Sequence, residues 1–436
     1  MLFQPPAFPS TRRPLLIFNM LVVTAVIFYL FSVFGEGRSP LSHSDEATLS
    51  ETDSMAPNNE HKASSSLAQY ALGKVINDAS PIFGHFDDST GSDTSDWMKA
   101  YPDDTKLVHM NIPGTHDAAT WNYSKSTQQA LEPITALNGI SEVDPNNFRC
   151  QDRSLAAMLN QGIRAFDLRY AHDVTNTTLV FWHSVGLQSQ TATLDSLLFA
   201  FYAWLDAHPS EALFLSFQFE GNSIPNSAND ASVQTLLYDS LTSPAAQHYI
   251  SQTNHLSTLG LARGKITLLR RFDLDRLPEE SRTSTLPGLH FSPRDWTVNG
   301  ANITLKYNAD GATAHIQDYY SPQTPANSPA ETNILSKLNA TTDFLSYAAS
   351  DAAPDDLFWS FASSTKIGDE PPSTPRIQAL GNGTSETPQG GVNDRLKEVL
   401  KDFEGKRVGI VMFDFFEEPE GLMEAFLGLR PPPTNK

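Results

Sequence analysis

The sequence predicts an α/β protein, a (β/α) barrel of TIM type, preceded by an N-terminal segment of a different character. Apolar strand-like stretches alternate with helix-like stretches from residue 105 to residue 415. Parallel strands need a crossover between them, so this alternation is typical of a parallel sheet, and so many strands in one domain favour a barrel. Polar and charged side chains follow several of the predicted strands, at the end where such barrels hold their active sites.

The N-terminal segment contains an uninterrupted apolar stretch. Residues 15–34 carry no charged side chain and are long enough to cross a bilayer as a helix. Arg12 and Arg13 precede the stretch, so the positive-inside rule leaves residues 1–14 in the cytosol and places the rest on the luminal or extracellular side. We therefore predict a single-pass signal anchor. The alternative is a cleaved signal peptide and a secreted protein, although no small-residue cleavage site closely follows Phe34.

Five N-glycosylation sequons follow the apolar stretch, and none precedes it. This distribution agrees with export of the chain and places the acceptor residues on the surface. The acceptors are Asn122, Asn176, Asn302, Asn339 and Asn382.

The segment between the apolar stretch and the first strand has a polar composition. Residues 35–95 are rich in Ser, Asp, Glu, Ala and Asn and have few large apolar side chains. Such a segment buries too little apolar surface to fold alone, so we predict a flexible, disordered stalk, with a short helix near 66–77 as an alternative. The barrel domain then covers residues 96–425, and residues 426–436 form a C-terminal tail.

Within the barrel domain the apolar patterns give five helices and seven strands. The Pro113-Gly114 pair is expected to end the first strand, since proline removes a ladder donor. Thr193 suits the N-cap of the clearest helix, at 193–207. The predicted strands lie at 105–112, 163–169, 178–183, 212–219, 264–272, 356–362 and 407–415. The predicted helices lie at 152–162, 193–207, 231–247, 329–339 and 392–402.

Charge and cysteine content exclude several classes of function. The formal net charge of −20 argues against a nucleic-acid partner and against electrostatic docking on an anionic membrane. Cys150 is the single cysteine, so the chain has neither an intrachain disulfide nor a zinc site of several thiolates, and burial of this thiol is expected.

Three strand ends carry the residue types that acid–base cleavage of a phosphodiester requires. His116 and Asp117 follow the first strand, Asp167 and Arg169 end the second, and His183 ends the third. Imidazoles titrate near neutrality, so one histidine can act as a base while the other acts as an acid. An arginine is always charged, and its guanidinium suits the oxygens of a phosphate.

The motifs Ile112-Pro-Gly-Thr-His-Asp117 and Gly162-Ile-Arg-Ala-Phe-Asp-Leu-Arg169, with the downstream His183, resemble the X region of phosphatidylinositol-specific phospholipase C. The resemblance covers roughly residues 95–425 and is to the single-domain bacterial type and its fungal relatives. It implies a distorted parallel β/α barrel. It also implies cleavage of phosphatidylinositol, or of a glycosyl-inositol phospholipid, to diacylglycerol and a cyclic inositol phosphate.

The resemblance also implies roles for individual residues. His116 is similar to the general base that takes the proton from the inositol 2-hydroxyl, and His183 to the general acid that protonates the leaving oxygen. Asp117 is similar to the carboxylate that supports the acid, and Asp414 to the one that orients the base. Arg169 stands where metazoan members have an acidic calcium ligand, so neither calcium nor another cofactor is expected.

Head-group contacts are also implied by the resemblance. Asp167 is expected to pair with Arg169. Gln218 departs from the family pattern, in which a lysine commonly stands at this position, and a neutral amide recognises a charged head group less well. The residues that resemble the family's inositol contacts are Arg271, Trp296, Asp318 and Tyr320.

Two other functions stay open on the sequence alone. One is a related phosphodiesterase with a different head group, which the Gln218 replacement favours. The other is a non-catalytic lipid- or glycan-binding barrel held at the membrane by the N-terminal helix. A glycerophosphodiester phosphodiesterase is disfavoured, because its pattern of metal-binding carboxylates is not evident.

Overall fold

A mostly parallel sheet forms the centre of the molecule. The computed structural model describes residues 58–86, 94–141, 144–221, 224, 227–283 and 286–430. Across the main sheet the strands follow the order β7-β6-β5-β2-β1-β11-β10-β9-β8, and β3 and β4 extend it beside β2. The strands are β1 (Ile112–Thr115), β2 (Ala165–His172), β3 (Leu179–His183), β4 (Gly186–Leu187), β5 (Ala212–Phe219), β6 (Lys265–Arg271), β7 (Leu289–His290), β8 (Ile303–Lys306), β9 (Thr313–Gln317), β10 (Leu357–Phe361) and β11 (Ile410–Phe413).

Helices connect most of the parallel strands, as crossovers in a parallel sheet require. They are α1 (Asn58–Phe83), α2 (Lys125–Thr135), α3 (Leu155–Asn160), α4 (Leu194–Ala207), α5 (Ala231–Thr242), α6 (Pro244–Tyr249), α7 (Leu259–Ala262), α8 (Glu279–Thr283), α9 (Ala330–Ala348), α10 (Pro375–Leu380), α11 (Val392–Val399) and α12 (Leu422–Gly428). The last of these crosses the boundary predicted at residue 425.

The predicted α/β class is confirmed, but the sheet is not a regular barrel. Strand β3 runs antiparallel to β2, and β8 runs antiparallel to β9. Within the described residues no strand ladder joins β7 to β8. A backbone hydrogen bond from His290 N–H to Tyr307 O, 3.1 Å long, crosses the gap. We call this gap between β7 and β8 the seam.

The strand predicted at 105–112 is wrong in position. Residues Leu107–His109 form a 3₁₀ turn, and β1 continues through Pro113. The carbonyl oxygen of Pro113 accepts a hydrogen bond from Arg164 N–H at 2.9 Å. Pro113 has no N–H to donate to β2, so the Gly162 oxygen on that side would lack a donor. The Trp97 indole N–H donates to this oxygen at 3.0 Å. A side-chain donor thus makes a central proline tolerable.

Local patterns predict some elements well and miss others. Helix α4 begins after Thr193, whose hydroxyl accepts from Ser196 N–H at 3.1 Å, and β5 matches its prediction. The helix predicted at 231–247 breaks into α5 and α6 at Pro244. The sequence prediction misses β4 and β7, which are two residues long, and the β8–β9 hairpin.

The prediction of a disordered stalk is wrong for residues 58–86. These residues contain α1, whose last turn is buried at Ala79, Ile82 and Phe83. The Phe83 ring meets Phe201 of α4 edge-on, with centroids 5.5 Å apart, and the Trp121 indole donates to Ile82 O at 2.7 Å. The apolar residues that dock this helix are concentrated at its end, so the average composition of the segment conceals them.

The remaining N-terminal predictions fall on residues the structure does not describe. These are the cytosolic segment 1–14, the anchor 15–34 and the first part of the stalk, 35–57. Among the residues that are described, no helix combines the length and apolarity that a membrane span requires.

The docking of α1 can be tested by removing its buried aromatic anchor. We expect Phe83→Ala to lower the free energy of unfolding by about 3 kcal/mol or more, because it leaves a cavity against α4. Leu67→Ala on the same helix is the control, since Leu67 is 68% exposed and its loss should change stability by less than about 0.5 kcal/mol. Urea denaturation measures both. Equal effects of the two substitutions would show that α1 is not docked.

Candidate active site

A cavity of about 590 Å³ opens at the carboxyl ends of the parallel strands. We call it the cleft. Asp117 and Asp167 lie below its surface, and each contacts Arg169. The other predicted catalytic and head-group residues line it: His116, Arg169, His183, Gln218, Arg271, Trp296, Asp318, Tyr320 and Asp414. The structure thus brings together every catalytic and head-group residue that the sequence predicted.

The turn after β1 places the side chains of His116 and Asp117 next to Arg169. Asp117 adopts a left-handed backbone with φ of 42°, which aspartate tolerates better than most residues. The chain reverses there, so that His116 Nε2 lies 2.7 Å and Asp117 Oδ2 lies 3.2 Å from the Arg169 guanidinium. The amide of Gln151 donates to the oxygens of His116 and Phe413 at 2.8 and 2.9 Å and fixes the ends of β1 and β11.

The hydrogen bonds of His116 determine its tautomer. Arg169 can only donate, so the Nε2 atom that faces its Nη2 atom must be the unprotonated acceptor. The ring proton is therefore on Nδ1 and is donated to Asp414 Oδ1 at 2.9 Å. Burial, and after it the charge of Arg169, lower the pKa of His116 well below its ordinary value. His116 is thus a neutral base with its lone pair directed at the arginine.

His183 has the same tautomer as His116, but its Nε2 atom faces a carboxyl group as well as lying near the arginine. Its Nδ1 lies 2.7 Å from the oxygen of Phe148, which can only accept, so Nδ1 carries a proton. Its Nε2 lies 3.2 Å from Asp117 Oδ2. Burial raises the pKa of Asp117 to about 8, and burial followed by Arg169 lowers the pKa of His183 to about 4. Near neutral pH the Asp117–His183 pair therefore holds one transferable proton.

Arg169 is surrounded by carboxylates. Besides Asp117, Asp167 Oδ2 lies 3.3 Å from its Nε and Glu220 Oε1 lies 3.7 Å from its Nη1. The expected pairing with Asp167 is therefore present. These contacts fix the plane of the guanidinium, so the cleft contains a preorganised positive charge beside His116.

The far side of the cleft combines charged, aromatic and hydrogen-bonding side chains, an arrangement that suits a ring bearing hydroxyl groups. The Arg271 guanidinium lies 3.9 Å from the centre of the Trp296 ring, and the Trp296 indole donates to Asp318 Oδ2 at 2.6 Å. Tyr320 is 39% exposed at the rim. Gln218 lies between Arg169 and Arg271 in the strand register, and its Oε1 atom is buried without a hydrogen-bond partner in the described structure. An unpaired acceptor there favours a ligand with hydroxyl donors.

The sequence predicted no role for Glu220, which lines the cleft, or for Lys337, which is buried near it. Glu220 accepts from Ser184 N–H at 2.8 Å and faces Arg169. Lys337 is fully buried on α9, donates to Tyr319 O at 2.9 Å, and has its pKa lowered to about 7 by burial. The available signal for Lys337 was a lysine on the apolar face of a helix. Its position close to the cleft depends on long-range packing that the sequence does not show.

One cluster could supply metal ligands, but its surroundings do not suit a cation. Ligand atoms of His116, Asp117 and Cys150 lie within 4.8 Å of one another. Arg169 already donates to the first of these and contacts the second, so a positive charge is present there. Burial, and after it Asp414, raise the pKa of the Cys150 thiol well above its ordinary value, whereas a metal needs the thiolate.

The five sequons differ in exposure. Asn176, Asn302 and Asn339 are exposed, in agreement with the surface positions expected for glycan acceptors. Asn122 and Asn382 are half-buried, and the Asn382 carboxamide oxygen accepts from the Thr387 hydroxyl at 2.7 Å. Cys150 is buried, as expected.

Comparison with known proteins confirms the resemblance that the sequence motifs indicated. No protein-family model matches the chain. A 1-phosphatidylinositol phosphodiesterase from Listeria monocytogenes is 31% identical over 180 residues, which are 40% of this chain and 48% of that protein. PI-PLC X domain-containing protein 1 from Danio rerio is 28% identical over 138 residues, or 29% and 44% of the two chains. The chain therefore spans about half the length of these curated relatives.

Solved structures show the same fold. A double mutant of the phosphatidylinositol-specific phospholipase C from Staphylococcus aureus matches with a TM-score of 0.59 and 17% identity, and the match covers 78% of this chain and 98% of that one. The phosphatidylinositol-specific phospholipase C from Listeria monocytogenes matches with a TM-score of 0.51 and 22% identity, with 78% and 99% of the chains covered. At these identities the likeness establishes the fold alone.

Proposed function

We propose that the chain is a metal-independent phosphodiesterase that cleaves phosphatidylinositol, or a glycosyl-inositol phospholipid, through a cyclic inositol phosphate. The observation that carries the proposal is the placement of two histidines of opposite role beside one arginine. The rings of His116 and His183 have centroids 6.4 Å apart. Arg169 contacts both His116 and Asp117, the carboxyl group beside His183. Similarity to proteins named 1-phosphatidylinositol phosphodiesterase supports it.

In the proposed reaction the inositol 2-hydroxyl replaces Arg169 as the donor to His116 Nε2. The base takes the hydroxyl proton, and the oxygen forms a bond to the adjacent phosphorus. The bond from phosphorus to the diacylglycerol oxygen breaks, and that oxygen receives the proton held by the Asp117–His183 pair. Asp414 Oδ1 accepts the Nδ1 proton of His116 at 2.9 Å and so keeps the base oriented.

Arg169 supplies the charge that would otherwise come from a metal ion. Once the substrate hydroxyl occupies His116 Nε2, the Arg169 Nη2 donor becomes available to a non-bridging phosphate oxygen. Asp117, Asp167 and Glu220 hold the guanidinium while this exchange takes place. No cofactor is needed in this scheme.

The two histidines can be tested with radiolabelled phosphatidylinositol in vesicles, with EDTA present. We expect wild-type protein to release water-soluble inositol phosphate, and His116→Ala and His183→Ala each to lower kcat by about 10²- to 10⁴-fold, the usual range for a general acid or base. His109→Ala is the control, because His109 is 37% exposed and contacts Asp355 away from the cleft. Full activity of His116→Ala, or loss of wild-type activity with EDTA, would contradict the mechanism.

The proton of the Asp117–His183 pair predicts a pH dependence. The acid must be protonated, and burial raises the pKa of Asp117 to about 8, so kcat/KM should fall as the pH rises through about 8. The pKa of His116 lies well below 6.5, chiefly because of burial, so the base should still function at pH 6. Initial rates between pH 5 and 10 measure the fall near pH 8 and show whether activity persists at pH 6. A rate that rises through pH 9 would exclude this proton donor.

A phosphodiesterase with another head group is the second candidate, because Gln218 stands where the family commonly has a lysine. The unpaired Oε1 of Gln218 is an uncharged acceptor and favours ring hydroxyls over ring phosphates. The first candidate should therefore hydrolyse phosphatidylinositol and a glycosyl-inositol lipid but not a phosphatidylinositol phosphate, whereas hydrolysis of a phospholipid with a different head group in their place would favour the second. Turnover of none of these lipids, with binding retained, would favour the non-catalytic barrel.

We propose further that the barrel is exported and held at a luminal or outer membrane face. The apolar stretch 15–34 and the exposed sequon residues Asn176, Asn302 and Asn339 support this. In a eukaryotic host we expect N-glycosidase treatment to lower the apparent mass and the protein to resist carbonate extraction from membranes. A chain that carries no glycan and is released by carbonate would overturn the proposal.

A further inference from the structure

A second cavity, of about 720 Å³, lies at the seam and shares no lining residue with the cleft. Its walls come from the loop at 252–255, from β6 and β7, and from the turn that follows β8. Among the described residues no acidic side chain lines it, although the chain carries 50 acidic residues and a net charge of −20. Four basic or imidazole side chains do: Arg270, Lys306, His255 and His290. We call it the seam cavity.

Arg270 is the main charge of the seam cavity. It precedes Arg271 on β6, and successive strand residues point to opposite faces, so Arg271 lines the cleft and Arg270 lines the seam cavity. Its Nε atom is buried without a hydrogen-bond partner, and no described carboxylate forms an ion pair with it. Burial lowers the pKa of Arg270 to about 10, which leaves it charged at neutral pH. Arg270 as a whole is half-buried, and a cation held there without a carboxylate partner is unfavourable, so a bound anion would compensate it.

Asp273, the acidic residue whose charge acts on Arg270, forms its hydrogen bonds with other side chains. Asp273 accepts from His290 Nε2 at 2.9 Å and from the Ser292 hydroxyl at 3.1 Å, and Arg294 Nε lies 3.5 Å from it. Its pKa is lowered, first by the hydrogen bond from His290. This carboxylate is therefore hydrogen-bonded to other side chains, and it acts on Arg270 only through space, where its charge opposes the lowering of the Arg270 pKa by burial.

Lys306 adds a second cation from the other side of the seam. Its ammonium donates to the Thr313 hydroxyl at 2.6 Å and has two further N–H groups. Amide groups lie beside it: Asn308 donates to Asn254 O at 3.1 Å, and Gln252 also lines the space. A guanidinium and an ammonium suit a phosphate, and amides suit hydroxyl groups.

We infer that the seam cavity binds a phosphate monoester carried on a small polyhydroxyl group, either free or as the head group of a lipid. The volume exceeds that of a phosphate alone, and the cations and amides face the same space. The site lies outside the cleft, so it does not depend on the proposed hydrolysis.

Calorimetric titration of the full chain with inositol 1-phosphate tests the inference. Arg169→Gln removes the anion contact of the cleft, and in that background we expect one binding event that weakens as NaCl is raised. Adding Arg270→Gln or Lys306→Gln should lower the affinity about tenfold or more, because each removes a charged hydrogen bond to the phosphate. Arg276→Gln, an exposed arginine outside the cavity, is the charge-matched control and should leave the affinity unchanged.

The lipid source is tested in the Arg169→Gln background with phosphatidylcholine vesicles that contain a phosphatidylinositol phosphate, whose phosphate monoester is carried on a ring with free hydroxyls. Cosedimentation that Lys306→Gln abolishes would assign the site to a lipid head group, and binding of inositol 1-phosphate alone would assign it to a free ester. Binding of neither, or equal binding by Lys306→Gln and Arg276→Gln, would overturn the inference; Lys306 is exposed, so its substitution should not prevent folding. Arg270→Gln alone should still hydrolyse phosphatidylinositol, so failure of this site and failure of the proposed activity are distinguishable.

Discussion

The contact between Arg169 and His116 is the interaction on which the cleft depends. A 2.7 Å approach of a guanidinium to an imidazole nitrogen is favourable only when that nitrogen is unprotonated. The arginine therefore assigns the ring proton of His116 to the atom that faces Asp414, and burial, followed by the charge of this arginine, lowers the pKa of both His116 and His183. One permanent charge thus leaves one imidazole ready to accept a proton and leaves the Asp117–His183 pair holding one.

The sheet supplies the accuracy that this contact requires. His116 follows β1, Asp414 follows β11, and these strands are direct neighbours in parallel register. Arg169, Gln218 and Arg271 occupy one row across β2, β5 and β6. Because the carboxyl ends of parallel strands meet at one edge, side chains separated by hundreds of residues converge without a long loop. Loops contribute the finer adjustments, such as the oxygen of Phe148 on His183.

The sequence could predict the catalytic residues and Arg271 because each stands at or just past the end of an apolar stretch, where local patterning is strong. Trp296, Asp318 and Tyr320 follow no predicted strand and were expected only from the resemblance to the family. It could not predict contacts that arise only between distant segments. Glu220 belongs to the site because it lies beside Arg169, and Lys337 because it donates to the Tyr319 oxygen. Neither contact can be deduced from the spacing of residues along the chain. A contact between distant segments also explains why the position of Pro113 was not predicted. The rule that proline is excluded from central strands placed it after the first strand, whereas β1 continues through it. The indole N–H of Trp97, from a remote turn, donates to the Gly162 carbonyl oxygen, which proline leaves without a backbone donor.

The distortion of the barrel has a consequence beyond the cleft. In a closed barrel a ladder between β7 and β8 would occupy the seam, and the outward face of β6 would be covered. Here β8 turns back antiparallel on β9, and one hydrogen bond from His290 to Tyr307 crosses the gap. Two adjacent arginines on β6 are therefore both open to ligands, from opposite faces of one strand. Arg271 lies among carboxylates in the cleft, whereas Arg270 lies in a cavity that no acidic side chain of the described residues lines, and so attracts an anion of its own.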